Sequence, residues 1–276
     1  MGPDPHTAVK QELLVRYLDY WVPAALHAGR SATYLDRSGY GPAAAVRVIA
    51  EFADLLAGRQ LAVLVEQAPP DAPALEGLRL GPLPADLPAL VRAAGRASVL
   101  AHLDGGAAAG LLAALGAAPD GELLLITDPL PGDPREELHH AGFAYVVAVE
   151  LVDRAGVAQL LRFATSAARS LERFKDELWA VDEYAGVRYR DPAEPDAVPL
   201  DISYEPHPGA LRRALLAYLA ESTRTVSELR QFALTRTLYR PADVPRALGP
   251  LLSRGAVVRE PERGRLSGNT RVRLAG

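Results

Sequence analysis

The sequence has no cysteine and only two lysines, Lys10 and Lys175, among its 276 residues. Without cysteine there can be no disulfide, thiolate zinc site, iron–sulfur ligation or cysteine nucleophile. With so little lysine, arginine carries nearly all the positive charge. Together with the wealth of Ala, Pro and Leu, this reflects GC-rich codon usage rather than function. Short catalytic motifs are also missing: no G-x-S-x-G, no P-loop and no H-E-x-x-H occurs. His139 and His140 are neighbours on a predicted helix, so they point apart and cannot chelate one metal, and no metal is expected. No apolar run is long enough to span a membrane, and no N-terminal stretch resembles a signal peptide. The expectation is a cytoplasmic protein with no membrane partner.

What is present is a chain that is 49% hydrophobic, enough for a substantial core, with 23 prolines and 23 glycines to make turns and at least one linker. The net charge of −4 hides an asymmetry: residues 209–276 hold thirteen arginines against five acids, a net of +8, which leaves −12 for the first 208. A basic module on an acidic body is a common layout for a nucleic-acid-binding appendage. The plainer reading is a basic face that docks on its own acidic domain.

Along the chain, KQELLVRYLDYWVPAAL repeats Leu14, Leu18 and Trp21 at helical spacing, with Leu13 and Tyr17 widening the stripe, and Pro23 is expected to end or kink this helix. Strand and helix patterns then alternate: strands at 32–35, 61–65, 98–103, 122–127, 143–151 and 159–165, and helices at 42–56, 85–94, 107–115, 134–141 and 168–179. Such alternation implies an α/β fold, a doubly wound, mainly parallel sheet covered on both faces. The last two strands, joined by the short turn VDRAG, should pair antiparallel. Ligands of these sheets sit at the carboxyl ends of the strands, and three of those ends carry acids: Asp36, Glu66 and Asp104. Residues 1–187 make this domain, and 188–208 read as a Pro-rich linker. Residues 209–276 then give three helices, one opened by Thr225 and Glu228 at capping-box spacing, and two short strands around a charged loop. That is the order of a winged helix-turn-helix.

Several stretches together resemble the three-Cys-motif partner proteins. KQELLVRYLDYWVPAAL is similar to that family's opening helix, TYLDRSGYGP to its strand and D-x-F-A-G-P-G turn, and LAVLVEQ to its second strand ending in Glu. VLAHLDGG sits where the family has an Asp-Pro-aromatic-Gly turn. FATSAARSLERFKDELWAVD is the most specific part, matching a Phe-Ala-Thr strand followed by a helix with Met-Lys-x-x-Met-Trp. The resemblance implies a methyltransferase-like Rossmann domain followed by a winged helix. It also implies a separately encoded partner with three cysteines, resembling radical S-adenosylmethionine enzymes.

Carried onto this sequence, the cofactor-binding candidates are Asp36, Gly39, Gly41, Glu66 and Asp104, with Glu66 placed to accept from ribose hydroxyls and Asp104 as a weak catalytic candidate. The plainer roles are a helix-capping acid for Glu66 and a turn-stabilising acid for Asp36. Three elements of the family pattern have changed. Arg37 and Ser38 replace its aromatic, Gly81 is followed by Pro82 where the family often has Gly-Asp, and Gly105 and Gly106 replace Pro and aromatic after Asp104. Each lost partner in a buried site costs about 1–3 kcal/mol, so S-adenosylmethionine is expected to bind weakly or not at all. His102, inside an apolar strand, reads as a satisfied core histidine.

Arg236, Arg240, Arg246, Arg254, Arg263, Arg265, Arg271 and Arg273 are the candidate nucleic-acid contacts, the last four on the wing. Pro245 and Pro250 interrupt the third helix, and its leucines must pack. Binding should therefore be dominated by phosphate, sensitive to salt and little concerned with sequence. The expected function is a nucleic-acid-binding partner protein with a degenerate methyltransferase-like domain, acting with the three-cysteine enzyme in DNA repair or modification. The alternatives are an active nucleic-acid methyltransferase and a protein–protein assembly scaffold.

Overall fold

The computed structural model describes residues 4–181, 186–194 and 198–275. The predicted segments that touch 182–185, 195–197 and the two termini lie in part outside them. The chain forms two compact units, Met1–Ile202 and Ser203–Gly276.

The first unit opens with α1 (Pro5–Ala28). Asp4 caps it, accepting from the Thr7 amide at 2.9 Å, and Pro5 occupies the first turn, where no amide is needed. Pro23 lies inside the helix and does not end it. There follow β1 (Ser31–Arg37), α2 (Pro42–Glu51), α3 (Ala53–Leu56), β2 (Gln60–Val65), β3 (Leu78–Pro82), α4 (Leu87–Ala94), β4 (Ser98–Asp104), α5 (Ala109–Ala117), β5 (Gly121–Thr127), α6 (Glu136–His140), β6 (Tyr145–Val152), β7 (Ala158–Thr165), α7 (Ala168–Ala180), β8 (Arg188–Arg190) and β9 (Leu200–Asp201).

These strands form one nine-stranded sheet in the order β3-β2-β1-β4-β5-β7-β6-β8-β9. From β3 to β5 the pairs are parallel; from β5 onward every pair is antiparallel. The α/β class is as expected, with three corrections. The Pro-rich run before α4 contains a strand, β3, whose proline sits on the sheet edge where a missing amide does no harm. The expected linker 188–208 is not all connecting chain: β8 and β9 extend the sheet, held on β6 by Tyr189, which is fully buried and donates to the Leu178 carbonyl at 2.9 Å. The helix expected over 42–56 breaks at Phe52 into α2 and α3.

Strand parity divides the side chains between two layers. Leu35 of β1, Val99, Ala101 and Leu103 of β4, and Leu123 and Leu125 of β5 join Val91, Leu111, Leu112 and Leu115 in one apolar cluster under α4 and α5. The alternate residues, Tyr34 and Asp36, Leu100 and His102, Glu122 and Leu124, point the other way, toward α1.

The second unit consists of α8 (Gly209–Glu221), β10 (Arg224–Thr225), α9 (Val226–Arg236), a 3-10 turn (Pro241–Asp243), α10 (Val244–Ser253), β11 (Val257–Glu260) and β12 (Arg271–Leu274). Its sheet runs β10-β12-β11, so the ribbon has three strands rather than two. The capping box is present: Thr225 and Glu228 satisfy each other's amides at 3.2 and 2.7 Å. Leu211, Leu215, Leu229, Ala233, Leu248, Val257 and Val272 fill the core, and Pro250 lies within α10.

Candidate functional site

In the strand order β2-β1-β4, chain direction across the sheet reverses between β1 and β4. The crevice outside their carboxyl ends is where such sheets hold ligands. In this protein the crevice is spanned by the chain's own side chains. Asp36 and His102 are register partners on β1 and β4, and both are fully buried. His102 Nδ1 lies 3.2 Å from Asp36 Oδ2, and its Nε2 lies 3.0 Å from the Tyr40 hydroxyl. The Tyr34 hydroxyl also donates to Asp36 Oδ2, while the Ser38 amide and hydroxyl donate to Oδ1 at 2.9 and 2.7 Å. Burial raises the Asp36 carboxyl, but hydrogen bonding and charge from His102, with the bonds from Tyr34 and Ser38, outweigh it and set the net direction downward.

Two further bridges cross the same crevice. Lys10 of α1 is buried and places its ammonium 2.7 Å from Asp104 Oδ2 at the end of β4, and 4.8 Å from the centre of the Tyr40 ring. The Arg37 guanidinium donates to the Gly106 carbonyl, tying the end of β1 to the loop after β4. Tyr40 is held protonated by burial and by the charges of Asp104 and Asp36, all of which push its hydroxyl far up.

The glycine turn is built for this internal packing. Gly39 has φ +73°, a conformation that favours glycine. At Gly41 a Cβ would collide with Asp36 Oδ2, Ser38 Oγ and the Leu14 side chain. The Gly41 amide donates to Ser38 Oγ at 2.9 Å. Of the five predicted cofactor contacts, the structure therefore brings Asp36, Gly39, Gly41 and Asp104 to one crevice. Asp36 faces inward with both oxygens engaged, and Asp104 is paired with lysine. Glu66 follows Val65, the register partner of Asp36, and is exposed at the end of β2.

Sequence reasoning missed Lys10, Tyr34, Tyr40 and Arg37; His102, read as a satisfied core histidine, is buried with a partner at each ring nitrogen. Lys10 did leave a signal: it precedes Leu13, Leu14 and Tyr17 by three, four and seven residues, so it falls on the buried stripe. Seven residues on, Tyr17 donates to Glu122 Oε2 at 2.5 Å, at the start of β5. The helix thus anchors both ends of the strands, about 10 Å apart at 1.5 Å per residue.

In the second unit the eight predicted arginines separate. Arg240 is internal, which corrects its expected role, and Arg246 is tied back to its own unit. The Arg240 guanidinium is buried, donating to Asp243 at 3.1 Å and to the Tyr204 carbonyl at 2.6 Å. Arg246 is half-buried and donates to the Pro206 carbonyl at 2.6 Å and to Asp243 at 3.2 Å. Arg236, Arg254, Arg263, Arg265, Arg271 and Arg273 are exposed. Arg259, which the sequence did not single out, shapes the loop between β11 and β12. It donates to the carbonyls of Pro261 and Gly264, each at 2.8 Å, of Arg263 at 3.2 Å and of Arg265 at 3.4 Å.

Among the described residues no group of three or more His, Cys, Asp or Glu could hold a metal, and no helix is long and apolar enough to cross a membrane. No family model matches the sequence, and no curated protein matches it. Among solved structures, one titled "Crystal Structure of EvdMO1" is similar at 14% identity and a TM-score of 0.30, over 56% of this chain and 42% of that one.

Proposed function

We propose that this chain is a nucleic-acid-binding protein whose α/β unit has lost its cofactor function and whose C-terminal unit works as a winged helix that grips duplex phosphates. The observation that carries this reading is the Arg259 clamp. One guanidinium collects four loop carbonyls, and the two arginines whose carbonyls it takes, Arg263 and Arg265, have exposed side chains. A loop fixed in advance loses less conformational freedom on binding. Exposed guanidinium groups with no fixed partner geometry suit the continuous charge of a phosphate backbone better than they suit individual bases.

The third helix supports the same reading. Its buried residues, Val244, Ala247, Leu248 and Leu251, alternate with Pro245, Gly249 and Pro250, and Arg246 is tied inward. Few side chains remain to read base edges. In the first unit, the crossing contacts Asp36–His102, Lys10–Asp104 and Arg37–Gly106 favour a structural role for the crevice. By the resemblance above, the partner would be a separately encoded three-cysteine enzyme that supplies the chemistry.

One observation favours the methyltransferase reading. Glu66 is exposed at the strand end where a ribose would bind. Titration with S-adenosylmethionine separates the two readings, and duplex binding tests the nucleic-acid role that both share. Anisotropy of a labelled duplex across a salt series should show binding that weakens steeply with salt. Arg263→Ala with Arg265→Ala should flatten the log–log slope by about 1.8, two phosphates at about 0.9 each. Unchanged affinity in that double variant sinks the wing reading.

A further inference from the structure

The outer face of the small sheet carries a groove that reaches the wing loop at Arg259 and Glu262. Register places Arg273 opposite Val258 and Arg271 opposite Glu260. On the other side of β12, Thr225 stands opposite Arg271 and Arg224 opposite Val272, and continuing that register one residue beyond Arg224 brings Thr223 beside Arg273. Residues two apart share a strand face. Thr223, Arg273 and Val258 therefore form one cross-strand row, with Thr225, Arg271 and Glu260 as the next, while Val257 and Val272 point into the core. A groove of about 720 Å³ follows this face, with Leu252 and Gly255 at the end of α10 also in its lining.

We infer that this groove receives a short unpaired strand of nucleic acid, so that the unit recognises the junction between duplex and single strand. The inference rests on the duplex-binding reading and deepens it. Three features argue for this occupant. The groove's volume, about 720 Å³, falls in the range that encloses small ligands, about 300–1,000 Å³, enough for a short stretch of a single strand. Arg271 and Arg273, both exposed, lie about 6.6 Å apart along the strand at 3.3 Å per residue, close to the spacing of successive phosphates on one chain. Leu252 and Val258 are half-buried and give an apolar wall for a sugar or base, with the Thr223 hydroxyl beside them.

Glu260 and Glu262 line the loop end of the groove, so phosphate is favoured at the Thr223–Arg273 end. The groove lining contains no aromatic ring. Contacts to the strand are thus electrostatic and sequence-tolerant, without the stacking platform that many single-strand binders use. The exposed Arg263 and Arg265 leave the loop between β11 and β12, which joins the same two strands, so duplex on the loop and strand in the groove meet at one edge of the unit.

The test uses the full chain and two labelled probes, a blunt duplex and the same duplex with a short single-stranded overhang. The overhang probe should bind more tightly, and its log–log salt slope should be steeper by about 1.4, two single-strand phosphates at about 0.7 each. Arg271→Ala with Arg273→Ala should abolish that difference between probes. Arg263→Ala with Arg265→Ala should weaken both probes and preserve it. Equal binding of the two probes by the unaltered chain overturns the junction inference and leaves duplex binding standing, as does an overhang advantage that survives Arg271→Ala with Arg273→Ala. Failure to bind either probe overturns the duplex reading and the inference with it.

Discussion

His102 and Asp36 are register partners on adjacent parallel strands, their side chains meet at 3.2 Å, and neither has any solvent exposure. This contact turns a strand-end acid, the usual mark of an open ligand crevice, into part of the core. His102→Ala should leave the buried carboxylate short of its ring partner and deprive the Tyr40 hydroxyl of its bond to Nε2. The expected loss is about 1–3 kcal/mol, the range for leaving a buried polar group short of a partner. Urea unfolding of the variant against the unaltered chain measures it, and a loss under 1 kcal/mol would show that the contact is dispensable.

The same carboxyl sets a pH dependence. The Asp36 pKa is lowered in the folded state, so its contribution to stability is fully present above the unfolded value of 3.8 and is lost as pH falls through the lower folded value. Asp36→Asn should reduce stability at neutral pH and shrink the difference from the unaltered chain as acid is added. A difference constant from pH 7 to the acid transition contradicts the assignment.

Glu122 behaves in the opposite sense. Burial raises its carboxyl, partly offset by hydrogen bonds from Ser170, Tyr17 and Thr165. Between the unfolded value of 4.5 and the higher folded one, the folded chain binds the extra proton, and stability falls as pH rises. Glu122→Gln removes this term. Its stability relative to the unaltered chain should therefore improve as pH climbs above 4.5, and denaturant midpoints across that range should show the trend.

Calorimetric titration with S-adenosylmethionine and S-adenosylhomocysteine should give no heat, because Lys10, Arg37, His102 and Tyr40 already fill the crevice between β1 and β4. Tight binding abolished by Glu66→Ala would restore the methyltransferase reading.

Arg259→Ala should release the loop between β11 and β12 with little effect on global unfolding. Amide exchange across residues 262–265 should quicken, and duplex affinity should fall even though Arg263 and Arg265 remain. Arg240→Ala should do the reverse, lowering the melting temperature of the second unit by removing two guanidinium donors from the buried Asp243 carboxylate. If Arg259→Ala leaves duplex affinity intact, the loop needs no fixed shape.

The sequence by itself determined the alternation of strands and helices, the basic second unit and the capping box of Thr225 and Glu228, because local periodicity and near-neighbour hydrogen bonds are written within a few residues. It also determined which residue types arrive at the strand ends. Tertiary structure alone decided what those residues do. Whether Asp36 faces a ligand or a histidine depends on β1 and β4 pairing in the register that sets it opposite His102, sixty-six positions away. The role of Lys10 depends on α1 crossing the sheet to reach Asp104, ninety-four positions away. In the same way, Arg240 and Arg259 are indistinguishable from the surface arginines until folding brings carboxylates and carbonyls within reach of a guanidinium. Register and helix docking are set by the summed packing of many side chains, and no short stretch of sequence contains that sum.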